Sequence, residues 1–128
     1  MCVKEWKRIA EREARRYREH RAFMRGVEDA AGGVTERYRQ SARWVLTVEY
    51  VLGYLYETNT EKERCFRKLF DIDGVQRYRG ARGMQALAYE MNVSASLLYQ
   101  WKNELLSLLL LAAAQTKALQ PYSISEES

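Results

Sequence analysis

The sequence predicts an all-α protein, and three observations carry that prediction. Apolar residues recur at three- and four-residue intervals along most of the chain, which is the spacing of one face of a helix. Turn-forming residues are scarce, since the 128 residues contain only seven glycines and one proline. A hydrophobic content of 47% is enough to bury the core of one domain, or of a small domain with a helical extension. We therefore expect long N-terminal helices, then a helical hairpin whose last helix is extended.

The first helix should cover residues 3–26. Its apolar seam is narrow and consists of Val3, Trp6, Ala10, Tyr17 and Met24. Such a seam does not hold an isolated helix against its ordering entropy, so we expect the helix to pack on a partner helix from this chain or another. The alternative is an arm that follows DNA phosphates, because residues 1–25 carry nine Lys/Arg against four Glu. A charge run of this kind is also typical of a solvated helix face.

The second helix should form the centre of the core. Consecutive glycines end the first helix at residues 30–33, and Thr35 is a plausible N-cap for the next. The second helix then runs to about Tyr56. Because it is apolar around most of its girth, we expect other helices to contact it on more than one side.

A third helix and a basic loop come next. Thr60 and Glu63 form a predicted capping box for a helix that ends near Phe70. Residues 71–83 should form a loop, since three glycines fall in its last ten residues. Side chains on this loop that can reach DNA phosphates are Arg77, Arg79 and Arg82. The alternative is a loop that only faces solvent.

Residues 84–106 should form two short helices that meet at a tight corner. Asn92 stands at the turn, where its short polar side chain tolerates the left-handed conformation. Ser94 is well placed to cap the second helix, and Leu98 and Trp101 give that helix an apolar face. The matching residues of the first helix are Leu87, Ala88 and Met91.

This corner resembles the helix-turn-helix of DNA-binding proteins, whose second helix enters the major groove. With the helix at 60–70 and the Gly/Arg loop, the chain is similar to the fourth region of bacterial sigma factors and to the ArpU/RinA-like regulators of phage late genes. The resemblance covers residues 60–107. It implies a cytoplasmic, sigma factor-like transcription regulator of phage or prophage origin that binds double-stranded DNA and contacts RNA polymerase. A hairpin used only for packing is the alternative.

The second helix of the corner supplies the candidate base-reading residues. They are Ser94, Ala95, Ser96, Tyr99, Gln100 and Asn103. The amides of Gln100 and Asn103 can pair with adenine edges, and Ala95 can meet a thymine methyl group. Lys102 stands nearer the DNA backbone and joins the three loop arginines as a candidate phosphate contact. Because no arginine on this helix faces the groove, we expect a preference for A/T-rich DNA or modest specificity.

The last helix should extend to about residue 119. Leucines surround it between residues 105 and 111, and a helix that is apolar all round must be buried. One side is expected to pack on the second helix and the other on a second subunit, which would make a homodimer. The alternative is full burial within one chain. Residues 122–128 look like a frayed polar tail.

The composition gives little support for catalysis, metal binding or membrane association. His20 is the only histidine, no Ser/His/Asp or Cys/His constellation is visible, and the loop glycines do not match a P-loop. Cys2 and Cys65 are too few for a disulfide framework or a zinc site, so we expect no cofactor and a reducing cytoplasm. The longest apolar run, residues 105–114, is too short to cross a bilayer.

Together these observations divide the chain into three segments. We expect a helical packing and oligomerisation module over residues 1–57, a DNA-binding helix-turn-helix region over 58–120 and a polar tail over 121–128. The expected function is that of a DNA-binding transcription regulator and not of an enzyme. The alternative, from a different class, is a helical protein–protein interaction or phage assembly component without sequence-specific DNA binding.

Overall fold

The computed structural model describes residues 2–119, which form six helices and the segments that connect them. The helices are α1 (Val3–Arg15), α2 (Tyr17–Asp29), α3 (Glu36–Thr58), α4 (Thr60–Leu69), α5 (Gly80–Met91) and α6 (Ala95–Thr116). No strand occurs within the described residues, so the predicted all-α fold is confirmed. The predicted polar tail lies outside them. No helix in residues 2–119 combines the length and apolarity that crossing a bilayer requires.

The prediction of one helix over residues 3–26 is wrong, because the chain bends at Arg16 between α1 and α2. Arg16 leaves helical geometry, with φ −95° and ψ 14°, and its N–H donates to the Glu13 carbonyl at 3.1 Å. The bend lets α1 pack on α6 while α2 packs on α3. Neither glycine nor proline marks this position, so tertiary packing and not local chemistry determines the break.

Helix α3 is the central helix, as predicted. Thr35 is its N-cap and accepts the Tyr38 N–H at 3.2 Å. Helices α1, α2, α4 and α6 all pack against it. Its burial is one-sided, however, because Leu46 and Tyr50 remain more than half exposed on the side opposite the core.

The predicted capping box at α4 is wrong. The cap is Asn59, whose side chain accepts the Lys62 N–H at 3.1 Å while its backbone is extended. An Asn at the N-cap satisfies the same unpaired donors as a Thr would, so Thr60 becomes the first residue of the helix.

The connection from α4 to α5 is shorter and more buried than the predicted loop. Helix α5 begins at Gly80, and Tyr78 and Ile72 are buried in the core. Gly83 lies directly against this segment, since a Cβ there would stand 2.6 Å from the Tyr78 carbonyl carbon. The loop and the first turn of α5 therefore pack as one unit.

The corner between α5 and α6 has the predicted local geometry. Asn92 is left-handed, with φ 58° and ψ 44°, and the Val93 N–H donates to the Ala88 carbonyl at 3.0 Å. Ser94 caps α6 by accepting the Leu97 N–H at 3.1 Å. Local hydrogen bonds thus close the end of α5 and cap the start of α6.

Helix α6 ends at Thr116, three residues before the predicted end, because Lys117 turns into the left-handed region with φ 65°. Leu105 and Leu109 are fully buried, whereas Leu111 is 66% exposed. The helices that cover α6 are α1, α3, α4 and α5 of the same chain. Much of the burial that we assigned to a second subunit is therefore supplied within one chain.

Candidate nucleic-acid interface

The first turns of α6 present a row of exposed polar side chains. Ser96, Tyr99, Gln100 and Asn103 follow a three–four–seven spacing, which places them on one side of the helix. All four are exposed, while Leu98 on the opposite side is fully buried. This row is the surface that α6 can offer to a groove.

The two remaining base-reading candidates stand at the edge of this row. Ser94 is exposed, but its oxygen already accepts the capping hydrogen bond, which leaves one lone pair and the O–H group for another partner. Ala95 is half-buried and presents a small apolar surface. The structure thus brings all six predicted residues to the N-terminal half of α6, with four in the exposed row.

Both amides of the row already make hydrogen bonds at the surface. Asn103 Oδ1 accepts from Lys7 Nζ at 2.9 Å, and Gln100 Nε2 donates to Glu104 Oε1 at 3.4 Å. Glu104 is itself paired with Lys62 Nζ at 2.5 Å. A base edge would have to replace these exposed bonds, which costs little because each is solvent-accessible.

Lys7 is a neighbour of the row that sequence reasoning did not single out. It belongs to α1, yet its ammonium reaches Asn103, 96 positions later in the chain. The only signal in the sequence was the general basic character of residues 1–25. The contact places a cation of the N-terminal module beside the candidate recognition surface.

The four predicted phosphate contacts fall into two classes. Arg79 and Arg82 are exposed at the start of α5, and neither side chain forms a hydrogen bond or ion pair with another residue of the range 2–119. Arg77 pairs with Asp71, with Nε 3.4 Å from Oδ2. Lys102 is mostly buried against α1, with Nζ 3.3 Å from Glu11 Oε2. Arg79 and Arg82 are therefore the cations most readily available to a polyanion.

The carboxylate of Asp71 connects the basic loop to α2. Its Oδ2 also accepts from Arg18 Nη2 of α2 at 3.2 Å, and its backbone is left-handed with φ 52°. Its Oδ1 is buried and has no hydrogen-bond partner within residues 2–119. This carboxylate therefore connects α2 to the loop and holds Arg77 in place.

Hydrogen bonds to Glu90 of α5 also connect the corner between α5 and α6 to the rest of the protein. Glu90 accepts hydrogen bonds from the Tyr78 hydroxyl and from Lys68 Nζ, the second at 2.9 Å. Burial of the Tyr78 hydroxyl, the main cause, and its hydrogen bond to Glu90, the second, raise the pKa of Tyr78 to about 12. The bonds join α4, the loop and the last turn of α5, so the end of α5 is held against α4 and the loop.

The two basic segments of the sequence meet in space. A cleft of about 210 Å³ between the α1–α2 junction and the loop is lined by Arg12, Arg15, Arg16, Glu19, Asp71, Arg77 and Arg79. Five arginines and two carboxylates line the cleft, so its lining carries a net positive charge. Four of these arginines are paired with carboxylates, which leaves Arg79 as the one without an ion pair within residues 2–119. The cleft extends the basic surface from the loop onto α1.

The fold also assembles a polar constellation that the sequence analysis did not find. His20 Nε2 donates to Glu13 Oε1 at 2.8 Å, and His20 Nδ1 lies 3.0 Å from the Ser41 hydroxyl. All three side chains are buried, and the hydrogen bond from His20 is the main reason why the pKa of Glu13 is lowered. The arrangement was not visible in the sequence because its three residues come from three different helices.

This constellation joins α1, α2 and α3 at one point. Glu13 lies on α1, His20 on α2 and Ser41 in the second turn of α3. It stands beside a cleft of about 370 Å³. Since each side chain finds its hydrogen-bond partner in the next, the arrangement satisfies three buried polar groups while connecting three helices.

Comparisons with known proteins found no match to this chain. No family model matches the chain, and neither the curated proteins nor the solved structures gave a match. Within residues 2–119 no cluster of three or more His, Cys, Asp or Glu side chains is arranged to hold a metal ion.

Proposed function

We propose that this protein is a DNA-binding transcription regulator that places the first turns of α6 in the major groove. The observation that supports this most directly is the exposed row of Ser96, Tyr99, Gln100 and Asn103, which begins immediately after a tight left-handed corner. A short corner between two helices, with a polar exposed second helix, is the arrangement through which helix-turn-helix proteins read bases.

In this proposal the residues divide into two roles. Gln100 and Asn103 read adenine edges through their amides, and Arg79 and Arg82 bind phosphates beside the groove. Lys7, next to Asn103, adds a further phosphate contact from α1. The cleft between α1 and the loop extends the attraction to the DNA backbone.

The regulatory part of the proposal goes further. A cytoplasmic protein of phage or prophage origin that contacts RNA polymerase through its N-terminal helices would recruit or position the polymerase at a promoter. This rests on the resemblance of residues 60–107 to sigma-type regulators. The alternative is an assembly or adaptor protein, and the exposed apolar side chains on α3 favour it.

The experiment that tests the proposal is fluorescence anisotropy with a pool of random duplexes, at low and then near-physiological salt. A regulator binds the pool, binding weakens steeply with salt, and repeated selection enriches one site. No binding at low salt would contradict the proposal and favour the assembly protein.

Base reading is then tested on the enriched site with Gln100→Ala combined with Asn103→Ala. We expect the loss of each amide to reduce discrimination by about 1–3 kcal/mol while binding to random duplexes stays similar. The matched control is Gln115→Ala, an exposed amide near the other end of α6, which should bind as the wild type does. Equal losses on the enriched and random duplexes would rule out base reading by these two residues.

A further inference from the structure

Helix α3 carries an exposed apolar stripe that no element of the described chain covers. Leu46, Tyr50 and Tyr54 are 55%, 57% and 50% exposed, and they follow one another at four-residue intervals. They therefore lie along one side of the helix, opposite buried residues such as Val48 and Leu55. Large aromatic and aliphatic side chains gathered in one exposed row are typical of an interaction surface.

A glycine lies within this stripe. Gly53 stands beside Tyr54 in the interior of α3, and a Cβ added there would have no neighbour within 4 Å. A glycine at an exposed helical position costs about 1 kcal/mol relative to alanine. The missing side chain lowers the surface of α3 at this point and lets the backbone of another helix approach closely.

Charges are distributed along the stripe with opposite signs at its two ends. Arg39 and Arg43 precede the apolar residues, and Glu57 follows them. Within residues 2–119, Glu36 is the one acidic side chain that pairs with these arginines, at 3.5 Å from Arg39 and 3.7 Å from the partly buried Arg43. Glu57 forms no ion pair with another residue between 2 and 119.

This order of residues is symmetric about Tyr50. Leu46 and Tyr54 each lie four residues from it, and Arg43 and Glu57 each lie seven residues from it, which is two helical turns. Two α3 helices that cross antiparallel at Tyr50 would place Leu46 of each copy against Tyr54 of the other. Arg43 of each copy would meet Glu57 of the other. A parallel arrangement would instead bring the arginines together.

We infer that the protein forms a homodimer in which α3 packs antiparallel against α3 of a second copy, with the two-fold axis at Tyr50. An isologous interface of this kind uses the same surface on both subunits and closes on itself. It differs from the expected dimer contact through the outer side of α6. It also goes beyond the proposed function, since it concerns a surface separate from the exposed row of α6 and holds whether or not the protein binds DNA.

The test measures the mass of the full chain by light scattering and sedimentation equilibrium, without DNA, over a series of protein concentrations. We expect twice the mass of the 15.1 kDa chain. Tyr50→Arg places two like charges at the two-fold axis and should weaken dimerisation about tenfold or more. Because Tyr50 is exposed, circular dichroism should show an unchanged helical content. A monomer at every concentration of the wild type would overturn the inference.

A charge exchange identifies the pairing. Arg43→Glu alone and Glu57→Arg alone should each weaken the dimer, whereas the double variant should restore it, because the pairs form again with reversed signs. The matched control is Leu111→Arg, which alters the exposed leucine of α6. It should leave the dimer intact. Dissociation by Leu111→Arg but not by Tyr50→Arg would overturn the α3 interface in favour of α6.

Discussion

At the scale of single residues, Asn92 is where the backbone geometry of the candidate interface is decided. Its φ of 58° lies in the left-handed region, which costs most residues with a Cβ about 1–2 kcal/mol. An Asn side chain lowers that cost through local hydrogen bonding, and a glycine avoids it. The residue at position 92 therefore determines the free-energy cost of the left-handed backbone turn that joins α5 to α6.

This leads to a prediction on stability. Asn92→Ala should lower the free energy of unfolding by about 1 kcal/mol, whereas Asn92→Gly should change it little or raise it slightly. Urea denaturation of the three proteins measures the difference. If the alanine and glycine variants unfold at the same urea concentration, the left-handed strain is not what Asn92 relieves.

Gly83 matters for a different reason, namely close packing. A Cβ at this position would stand 2.6 Å from a backbone atom of Tyr78, and backbone does not move aside as a flexible side chain does. Gly83→Ala should therefore destabilise the protein by about 1–3 kcal/mol. The control is Gly26→Ala in α2, where nothing lies within 4 Å and the helix should gain about 0.5–1 kcal/mol. Thermal denaturation that moves both variants in the same direction would contradict this.

At the scale of elements, the Glu13–His20–Ser41 constellation connects α1 to α2 near the bend and links both helices to α3. The sign of its pH dependence follows from the pKa of Glu13, which folding lowers below its ordinary value of 4.5. A lowered pKa means that the ionised carboxylate stabilises the fold above about pH 4.5. That stabilisation is lost as the pH falls through the lower pKa of the folded state.

We therefore expect the effect of Glu13→Gln to depend on pH. At neutral pH the variant should be less stable than the wild type by about 1–3 kcal/mol, because a neutral amide replaces the carboxylate that accepts from His20 and pairs with Arg16. Below about pH 4.5 the difference should shrink, as the wild type becomes protonated. Urea unfolding from neutral pH down to about pH 3 measures it, with the exposed Glu5→Gln as control. A constant difference across this range would show that ionisation of Glu13 contributes nothing.

At the scale of the whole molecule, basic residues from distant parts of the chain lie together. Arg12 and Arg16 of α1 and its junction line the same cleft as Arg77 and Arg79 of the loop. Lys7 reaches the exposed row of α6. If the proposed function is right, this combined surface determines how DNA affinity depends on salt.

The corresponding prediction concerns the slope of log affinity against log salt. Arg79→Ala combined with Arg82→Ala should weaken binding to all duplexes and reduce the slope by about two, one for each phosphate contact. Arg25→Ala combined with Arg37→Ala removes the same charge. Arg37 lies in the first turn of α3, over the ring of Phe23 of α2, and Arg25 follows Phe23 by two residues. The start of α3 is at the Ala118 end of α6, about 33 Å from Ser94 along that helix. A similar change of slope in both double variants would mean that only net charge matters.

Local chemistry made much of this fold predictable from sequence. Thr35 and Ser94 cap their helices, and Asn92 turns the chain, because each acts on backbone groups within three residues of itself. The apolar spacing likewise identified α3 as the central helix. These features depend on neighbours along the chain, so the sequence by itself determined the all-α class, the corner and the N-terminal half of α6 as the exposed candidate surface.

Only the tertiary structure decided how distant groups meet. The bend at Arg16 follows from the packing of α1 on α6 and of α2 on α3. The Glu13–His20–Ser41 constellation and the contact of Lys7 with Asn103 join residues of different helices. No local pattern encodes such contacts, because they follow from how whole helices pack. The exposure of one side of α3 was hidden for the same reason, since apolar periodicity does not tell which of several apolar faces the other helices will cover.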